Sequence, residues 1–132
     1  MNHNEFVKKA LLVPFVEKGR DFEGWDCWGL VYLHYKLVQR VVLPEYLDYS
    51  STREYRQLRA LISQAKPSWA QVDEPDQGDV AVFNLSGSPT HVALVIDKRN
   101  ALHAEYKVGT FMEPIKGVVW GKRLEGIYRY DP

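Results

Sequence analysis

The sequence predicts an α+β fold in which N-terminal helices pack on a C-terminal antiparallel β-sheet. Apolar residues recur at helical spacing through the first half of the 132-residue chain. Short segments rich in β-branched and aromatic residues, separated by turn residues, fill the second half. Helices followed by strands are typical of a sheet that carries its helices on one face. The length fits one domain, so we expect residues 1–132 to form a single unit.

Three helices are predicted in the first half. Pro14 and Pro67 stop the first and the third, because proline cannot continue a helix. Asp26 is a suitable N-cap for the second, whose apolar residues surround most of its circumference, so we expect it to be central and buried. Ser51–Glu54 has the spacing of a capping box. The predicted helices run over Asn4–Leu12, Cys27–Gln39 and residues 51–66.

The second half predicts four strands and one further short strand. A loop rich in glycine and charge, Glu17–Gly24, is expected to separate the first two helices. The predicted strands are Asp79–Leu85, His91–Asp97, Ala101–Lys107 and Glu125–Tyr130, with Trp120–Leu124 as the additional one.

The composition excludes several functional classes. Seventeen acidic and seventeen basic side chains give zero net charge, which argues against a dedicated nucleic-acid or anionic-membrane binder. A single cysteine cannot close an internal disulfide. No apolar run approaches the roughly 20 residues of a membrane span, and the N-terminus lacks the features of a secretory signal. We therefore expect no nucleic-acid partner, no membrane insertion, and synthesis in the cytoplasm without a signal peptide.

Cys27 is the candidate nucleophile because it opens the central helix. A helix N-terminus offers unpaired N–H groups and a partial positive charge, and both favour a thiolate. A cysteine there is expected to titrate below about 8.5, and the same N–H groups could hold an oxyanion. The alternative is a buried cysteine that acts as a small hydrophobic residue.

A cysteine nucleophile needs a base, and the chain has four histidines. His3 is expected in a solvated, frayed terminus. His34 lies seven residues after Cys27 on the same helix, about 10 Å away, and is expected to be a packing residue. His91 and His103 remain as the candidate base and its orienting partner.

The two remaining histidines lie on the strands of a predicted hairpin. A two-residue turn at Lys98–Arg99 would pair His103 with Leu94 and place His91 and His103 on opposite faces. A longer turn or a bulge is needed to bring them to one face. The sequence leaves that register open.

Four segments resemble the NlpC/p60 superfamily of papain-like cysteine peptidases. Gly24–Val31, which reads GWDCWGLV, resembles the superfamily's nucleophile motif. Gln77–Phe83, His91–Ile96 and Leu102–Ala104 resemble its Gly-Asp strand, its base-bearing strand and its third-residue strand, in the same order. The resemblance spans roughly residues 11–104.

The resemblance implies a role for each of three residues. Cys27 would be the nucleophile, His91 the general base and acid, and His103 the residue that orients His91. The Cys27 backbone N–H would belong to the oxyanion site. No metal ion or organic cofactor is implied.

Three more residues would lie at the oxyanion site or the substrate cleft. Asp26 would cap the helix and face the cleft, although a plain N-cap is the alternative. Trp28 would line the cleft or pack beside it. Phe15 stands where the family often has a tyrosine, so that hydroxyl is missing.

The segments around Trp28, Gly19–Asp21 and Leu43–Tyr46 resemble the branch found in phages and phage-like particles. The implied activity is a cysteine endopeptidase that cuts peptidoglycan stem peptides at D-γ-glutamyl or diaminopimelyl bonds. The implied partners are tail tip or hub proteins, and the implied location is a particle tail acting at the host cell wall.

Two alternatives to an active peptidase follow from the same residues. The domain could be a structural tail component whose catalytic residues are vestigial. It could also be a zinc module, because Cys27, His91 and His103 supply three possible ligands.

Overall fold

The computed structural model describes residues 1–47, 69–85 and 88–132, so the predicted helix at residues 51–66 lies outside the described residues. Helices packed on an antiparallel sheet are the architecture found, as the sequence predicts. Across the described ranges, every helix is too short or too polar to span a lipid bilayer.

Helix α1 spans His3–Ala10 and helix α2 spans Cys27–His34. Asn2 caps α1 by accepting a hydrogen bond from the Glu5 backbone N–H. All eight residues of α2 are buried, as its all-round apolar surface predicts. The helix continues as a π-helical turn, Tyr35–Gln39, so the predicted Cys27–Gln39 helix changes its hydrogen-bonding pattern halfway.

The described residues contain eight strands, which are β1 Arg20–Asp21, β2 Gly24–Trp25, β3 Trp69–Val72, β4 Val80–Leu85, β5 Ser88–Val95, β6 Asn100–Glu105, β7 Gly109–Pro114 and β8 Leu124–Tyr130. Six of them form one antiparallel sheet in the order β3-β8-β4-β5-β6-β7. The other two, β1 and β2, form a separate pair that lies within and just after the predicted Glu17–Gly24 loop. The pair β1–β2 and the two edge strands β3 and β7 were not predicted.

The short strand predicted at Trp120–Leu124 is wrong. A 3₁₀ turn, Gly121–Arg123, occupies that segment. Its backbone N–H groups bond locally, from Gly121 to the Gly117 carbonyl at 2.8 Å and from Arg123 to the Trp120 carbonyl at 2.9 Å. Those donors are therefore not available to a ladder.

The central strands are buried on both faces, which explains why they read as almost continuous apolar runs. Alternate residues of β4, β5 and β6 face α2 and form one core. The others face the segment that follows β7 and form a second core. The helix-side core includes Val80, Val82, Val92, Leu94, Leu102 and Ala104, and the second core includes Ala81, Phe83, Ala93, Val95, Ala101, Ile115 and Trp120.

Gly29 sets how closely α2 approaches the β1–β2 pair. A Cβ added at Gly29 would lie 2.0 Å from the Gly19 carbonyl oxygen and 2.9 Å from the Trp25 side chain. No side chain fits in that space, so glycine two residues after Cys27 is a packing requirement.

We predict that Gly29→Ala destabilises the fold by about 1–3 kcal/mol, because the added methyl group must push α2 away from Gly19. Gly117→Ala is the matched control, since its Cβ would meet its first neighbour, the Pro114 carbonyl oxygen, at 3.2 Å. Urea unfolding of both variants measures the difference. Equal free energies of unfolding for the two variants would contradict this account of the packing.

Candidate active site

A three-residue loop fixes the register between β5 and β6. The Ile96 N–H donates to the Asn100 carbonyl at 3.0 Å, which leaves residues 97–99 as the loop. The Asp97 carboxylate holds this loop, accepting at 2.8 Å from the backbone N–H groups of Arg99 and Asn100. Leu94 therefore lies opposite Leu102 instead of His103.

This register places His91 and His103 on the same face of the sheet. Nε2 of His91 lies 3.0 Å from Nδ1 of His103, and the two rings are within 10° of parallel. His91 is 6% exposed and His103 is fully buried. The longer turn that the sequence required is present, and it brings the two histidines together.

One of the two possible directions of the hydrogen bond between the histidines leaves His91 able to act as a base. If His91 Nε2–H donates to His103 Nδ1, then His91 Nδ1 carries a lone pair and can accept a proton. His103 then holds its own proton on Nε2, a buried atom with no hydrogen-bond partner among the described residues. The pair thus orients His91 at the cost of one buried, unbonded N–H group.

Cys27 lies where the pairing of β5 with β6 stops. The ladder contains Val95–Ala101 and Leu94–Leu102 and ends there. Val95 directs its N–H to the Asp79 carbonyl on the β4 side, so by alternation the Val92 N–H points to the β6 side. That N–H lies against the Cys27 sulfur. The sulfur is thus placed at the peptide group that joins His91 to Val92.

Burial dominates the ionisation of the thiol. Cys27 is 3% exposed, and burial together with the Asp26 charge raises its pKa to about 12. The N–H groups of Val92 and Trp28 and the charge of Arg20 oppose this and favour the thiolate. The expected titration below about 8.5 is therefore wrong for the resting site, because desolvation outweighs the helix N-terminus.

Burial also keeps both histidines neutral. It lowers the pKa of His91 to about 3, with further lowering by His103 and by the Arg123 charge. Burial lowers the pKa of His103 to about 4. At neutral pH the resting site holds a thiol and two neutral imidazoles.

Asp26 is a buried helix cap. Its Oδ1 accepts from the Gly29 N–H and from Arg20 Nη1, both at 2.9 Å, and its Oδ2 accepts from the Lys18 N–H at 2.8 Å. The side chain is fully buried. It therefore positions the start of α2 and does not reach an open cleft in this structure, contrary to the cleft-facing expectation.

Trp28 and Phe15 are the other two residues expected at the oxyanion site or the substrate cleft. Trp28 is buried, donates from Nε1 to the Pro44 carbonyl at 2.8 Å, and packs edge-on against Tyr46. It is a packing residue here, not a cleft wall. Phe15 is half-buried and meets the ring of Tyr106 at 5.9 Å.

Trp120 covers the histidine pair, a contact that the sequence does not predict. The Trp120 ring lies 4.9 Å from that of His91 and 4.6 Å from that of His103, centroid to centroid. Phe83 contacts both histidines from the neighbouring strand. Trp120 reaches the histidines because the loop after β7 folds back onto the sheet, and no spacing in the sequence predicts that path of the chain.

The other two histidines form a separate pair. His3 belongs to α1 and not to a frayed terminus, so that expectation is wrong. Its Nε2–H donates to the Ile96 carbonyl at 3.1 Å, and its Nδ1 therefore accepts from His34 Nε2 at 3.0 Å. His34 is fully buried, which confirms it as a packing residue, and burial lowers its pKa to about 3.

The zinc alternative gains no support from the arrangement of side chains. Within residues 1–47, 69–85 and 88–132, no three or more histidine, cysteine, aspartate or glutamate side chains are grouped as a metal ion would need. Cys27 contacts backbone N–H groups, which repel a cation.

We predict that acid destabilises the fold through three buried histidines, His34, His91 and His103. Their folded pKa values lie below the unfolded value of about 6.5, so the unfolded chain binds protons first as the pH falls. Between about pH 6.5 and 4, each should cost up to about 1.4 kcal/mol per pH unit. Urea unfolding at several pH values measures the slope, and His34→Gln should reduce it by one histidine's share. If the free energy of unfolding of His34→Gln falls with pH as steeply as that of the wild type, His34 does not contribute to the destabilisation by acid.

Comparison with known proteins identifies the family of this chain. The model of the NlpC/P60 family matches residues 13–129. No curated protein sequence matches the chain significantly.

Several solved structures share the fold. An NlpC/P60 family protein from Bacillus cereus is 21% identical with a TM-score of 0.71; the match covers 100% of this chain and 41% of that one, so this chain spans under half of its length. The peptidoglycan hydrolase RipB from Mycobacterium tuberculosis is 20% identical with a TM-score of 0.59, and the match covers 98% of this chain and 65% of RipB. The NlpC/p60 domain of the peptidoglycan hydrolase SagA is 16% identical with a TM-score of 0.62, and the match covers 98% of this chain and 99% of that domain. With its family model matched over most of its length, the chain belongs to the NlpC/P60 family.

Proposed function

We propose that the protein is a cysteine peptidase that hydrolyses peptide bonds of peptidoglycan stem peptides, with Cys27 as nucleophile, His91 as base and His103 as its orienting residue. The observation that carries the proposal is the hydrogen-bonded His91–His103 pair beside the peptide that the Cys27 sulfur contacts. A thiol nucleophile, an imidazole base and a group that orients the base are the components of acyl transfer.

The reaction begins with a proton transfer that the resting site has not yet made. His91 Nδ1 takes the thiol proton of Cys27 as the sulfur attacks the substrate carbonyl carbon, and the carbonyl oxygen becomes an oxyanion. The helix start, including the Cys27 N–H, stabilises that charge. His103 Nδ1 accepts from His91 Nε2–H throughout and so stabilises the imidazolium.

The second half of the cycle returns the site to its resting state. The imidazolium of His91 gives its proton to the leaving amine as the C–N bond breaks, which leaves a thioester on Cys27. His91 then removes a proton from water, the resulting hydroxide attacks the thioester, and the carboxylic acid product leaves as the thiol reforms. Because Cys27 and His91 are both neutral at rest, His91 acts as a general base during the attack and no ion pair is formed beforehand.

The substrate class rests on kinship. Two of the structural relatives are named as peptidoglycan hydrolases. Within peptidoglycan we propose bonds next to D-γ-glutamyl or diaminopimelyl residues, the bonds implied by the resemblance of Gly24–Val31 and the two histidine strands to this family.

The tail-tip role rests on the sequence resemblance around Trp28, Gly19–Asp21 and Leu43–Tyr46. We propose docking to tail tip or hub proteins of a phage-like particle, which would carry the domain to the host cell wall. A structural component without activity is the second candidate, favoured by the missing hydroxyl at Phe15.

We predict that Cys27→Ala abolishes hydrolysis of purified stem peptides, by about 10³-fold or more, because no other group can form the thioester. New amino groups, counted by chromatography and mass spectrometry, measure the rate. Leu12→Ala is the control, since Leu12 is 86% exposed and belongs to none of the elements that carry Cys27, His91 or His103. A Cys27→Ala variant that keeps near-wild-type activity would refute the mechanism, and an inactive wild-type chain would favour the structural candidate.

A further inference from the structure

We propose that Trp120 and Arg123 are positioning residues for the histidine pair: Trp120 fixes both imidazole rings and excludes water from their hydrogen bond, and Arg123 places a positive charge on the tryptophan ring. This rests on the proposed function, because it concerns the same base. Neither residue belongs to the motifs by which the sequence resembles the family.

Trp120 contacts both members of the pair at once. Its ring is stacked on His91 at 26° and is tilted by 36° to His103, with centroid distances of 4.9 and 4.6 Å. Trp120 is only 5% exposed, and Phe83 meets it edge-on at 5.4 Å. A flat ring of this size, held on its edge by a neighbour, leaves no room for water above the His91–His103 bond.

Arg123 lies on the Trp120 ring as a cation on an aromatic face. Its guanidinium carbon is 5.3 Å from the ring centroid, and the residue is exposed to solvent. The 3₁₀ turn holds the two residues together, because the Arg123 N–H donates to the Trp120 carbonyl at 2.9 Å. The turn thus holds a permanent cation on the ring that contacts both histidines.

The charged and titratable groups around His91 come from three elements. His103 faces it from β6 and Arg123 acts on it from the turn before β8. From the start of α2, Cys27 lies against the N–H of Val92, the next residue along β5, with Asp26 and Arg20 acting on Cys27. Of these, Arg123 is a permanent cation close enough to disfavour the imidazolium. Water that reached the pair would favour the imidazolium form of His91, because it would solvate the charged ring.

The consequence is a base that stays available when the medium is acidic. A neutral His91 can accept the Cys27 proton, whereas an imidazolium cannot. Loss of the tryptophan or of the arginine charge should therefore raise the pH at which His91 becomes protonated and the base is lost.

The test is a ¹H–¹³C NMR titration of the His91 ring in the whole chain, from pH 8 downward. In the wild type the His91 signal should not titrate above about pH 5. Arg123→Gln should move the titration upward by a measurable fraction of a pH unit, and Trp120→Ala should move it by one unit or more. Lys122→Gln, which removes the adjacent charge of the same turn, is the matched control and should leave it in place.

Trp120→Phe separates positioning from simple loss of structure. This variant keeps an aromatic cover, so the His91 titration should stay close to that of the wild type, and it serves if Trp120→Ala does not fold. The proposal is overturned if Arg123→Gln shifts His91 no more than Lys122→Gln does, or if Trp120→Phe and Trp120→Ala behave alike. The titration needs no turnover, so it can fail while stem-peptide hydrolysis succeeds, and the reverse.

Discussion

The register between β5 and β6 is the constraint on which the rest of the site depends. One residue more in the loop moves every side chain of β6 to the other face of the sheet relative to β5. The Asp97 carboxylate holds the three-residue form by bonding to two backbone N–H groups of the loop. Because of that loop, His103 can orient His91, and the helix-side positions next to them, Val92 and Leu102, remain apolar.

Burial on both faces of the sheet then decides the chemistry. The histidines lie in the core away from α2, among Phe83, Phe111 and Trp120, and the thiol enters where β5 and β6 separate. Removing water from all three groups favours their neutral forms. The backbone N–H groups around Cys27 and the charge of Arg20 favour the thiolate, but not enough to ionise it at rest. In the proposed reaction, a thiolate formed on Cys27 would be stabilised by these same groups.

The sequence predicted those parts of the fold that depend on local patterns. The apolar circumference of α2, its Asp26 cap and the alternating or continuous apolar strands are local signals, and they gave the fold class and the position of Cys27. Neither edge strand, β3 nor β7, contains a fully buried residue, so neither carries such a signal. The register of the β5–β6 loop depends on the hydrogen bonds of the Asp97 side chain. The contact of Trp120 with the histidines depends on how the chain after β7 folds back onto the sheet. No residue spacing in the sequence predicts either of them. The raised pKa of Cys27 was missed because desolvation is a property of the packed site.

The most direct test of the assembled site is the rate at which iodoacetamide alkylates Cys27, measured against pH in the wild type and in His91→Ala. If His91 removes the thiol proton during attack, the wild type should react at least about tenfold faster than the variant near pH 7. The two rates should converge at high pH, where the thiol ionises without help. Identical rates at every pH would show that His91 does not act on Cys27, and the account of this site would be wrong.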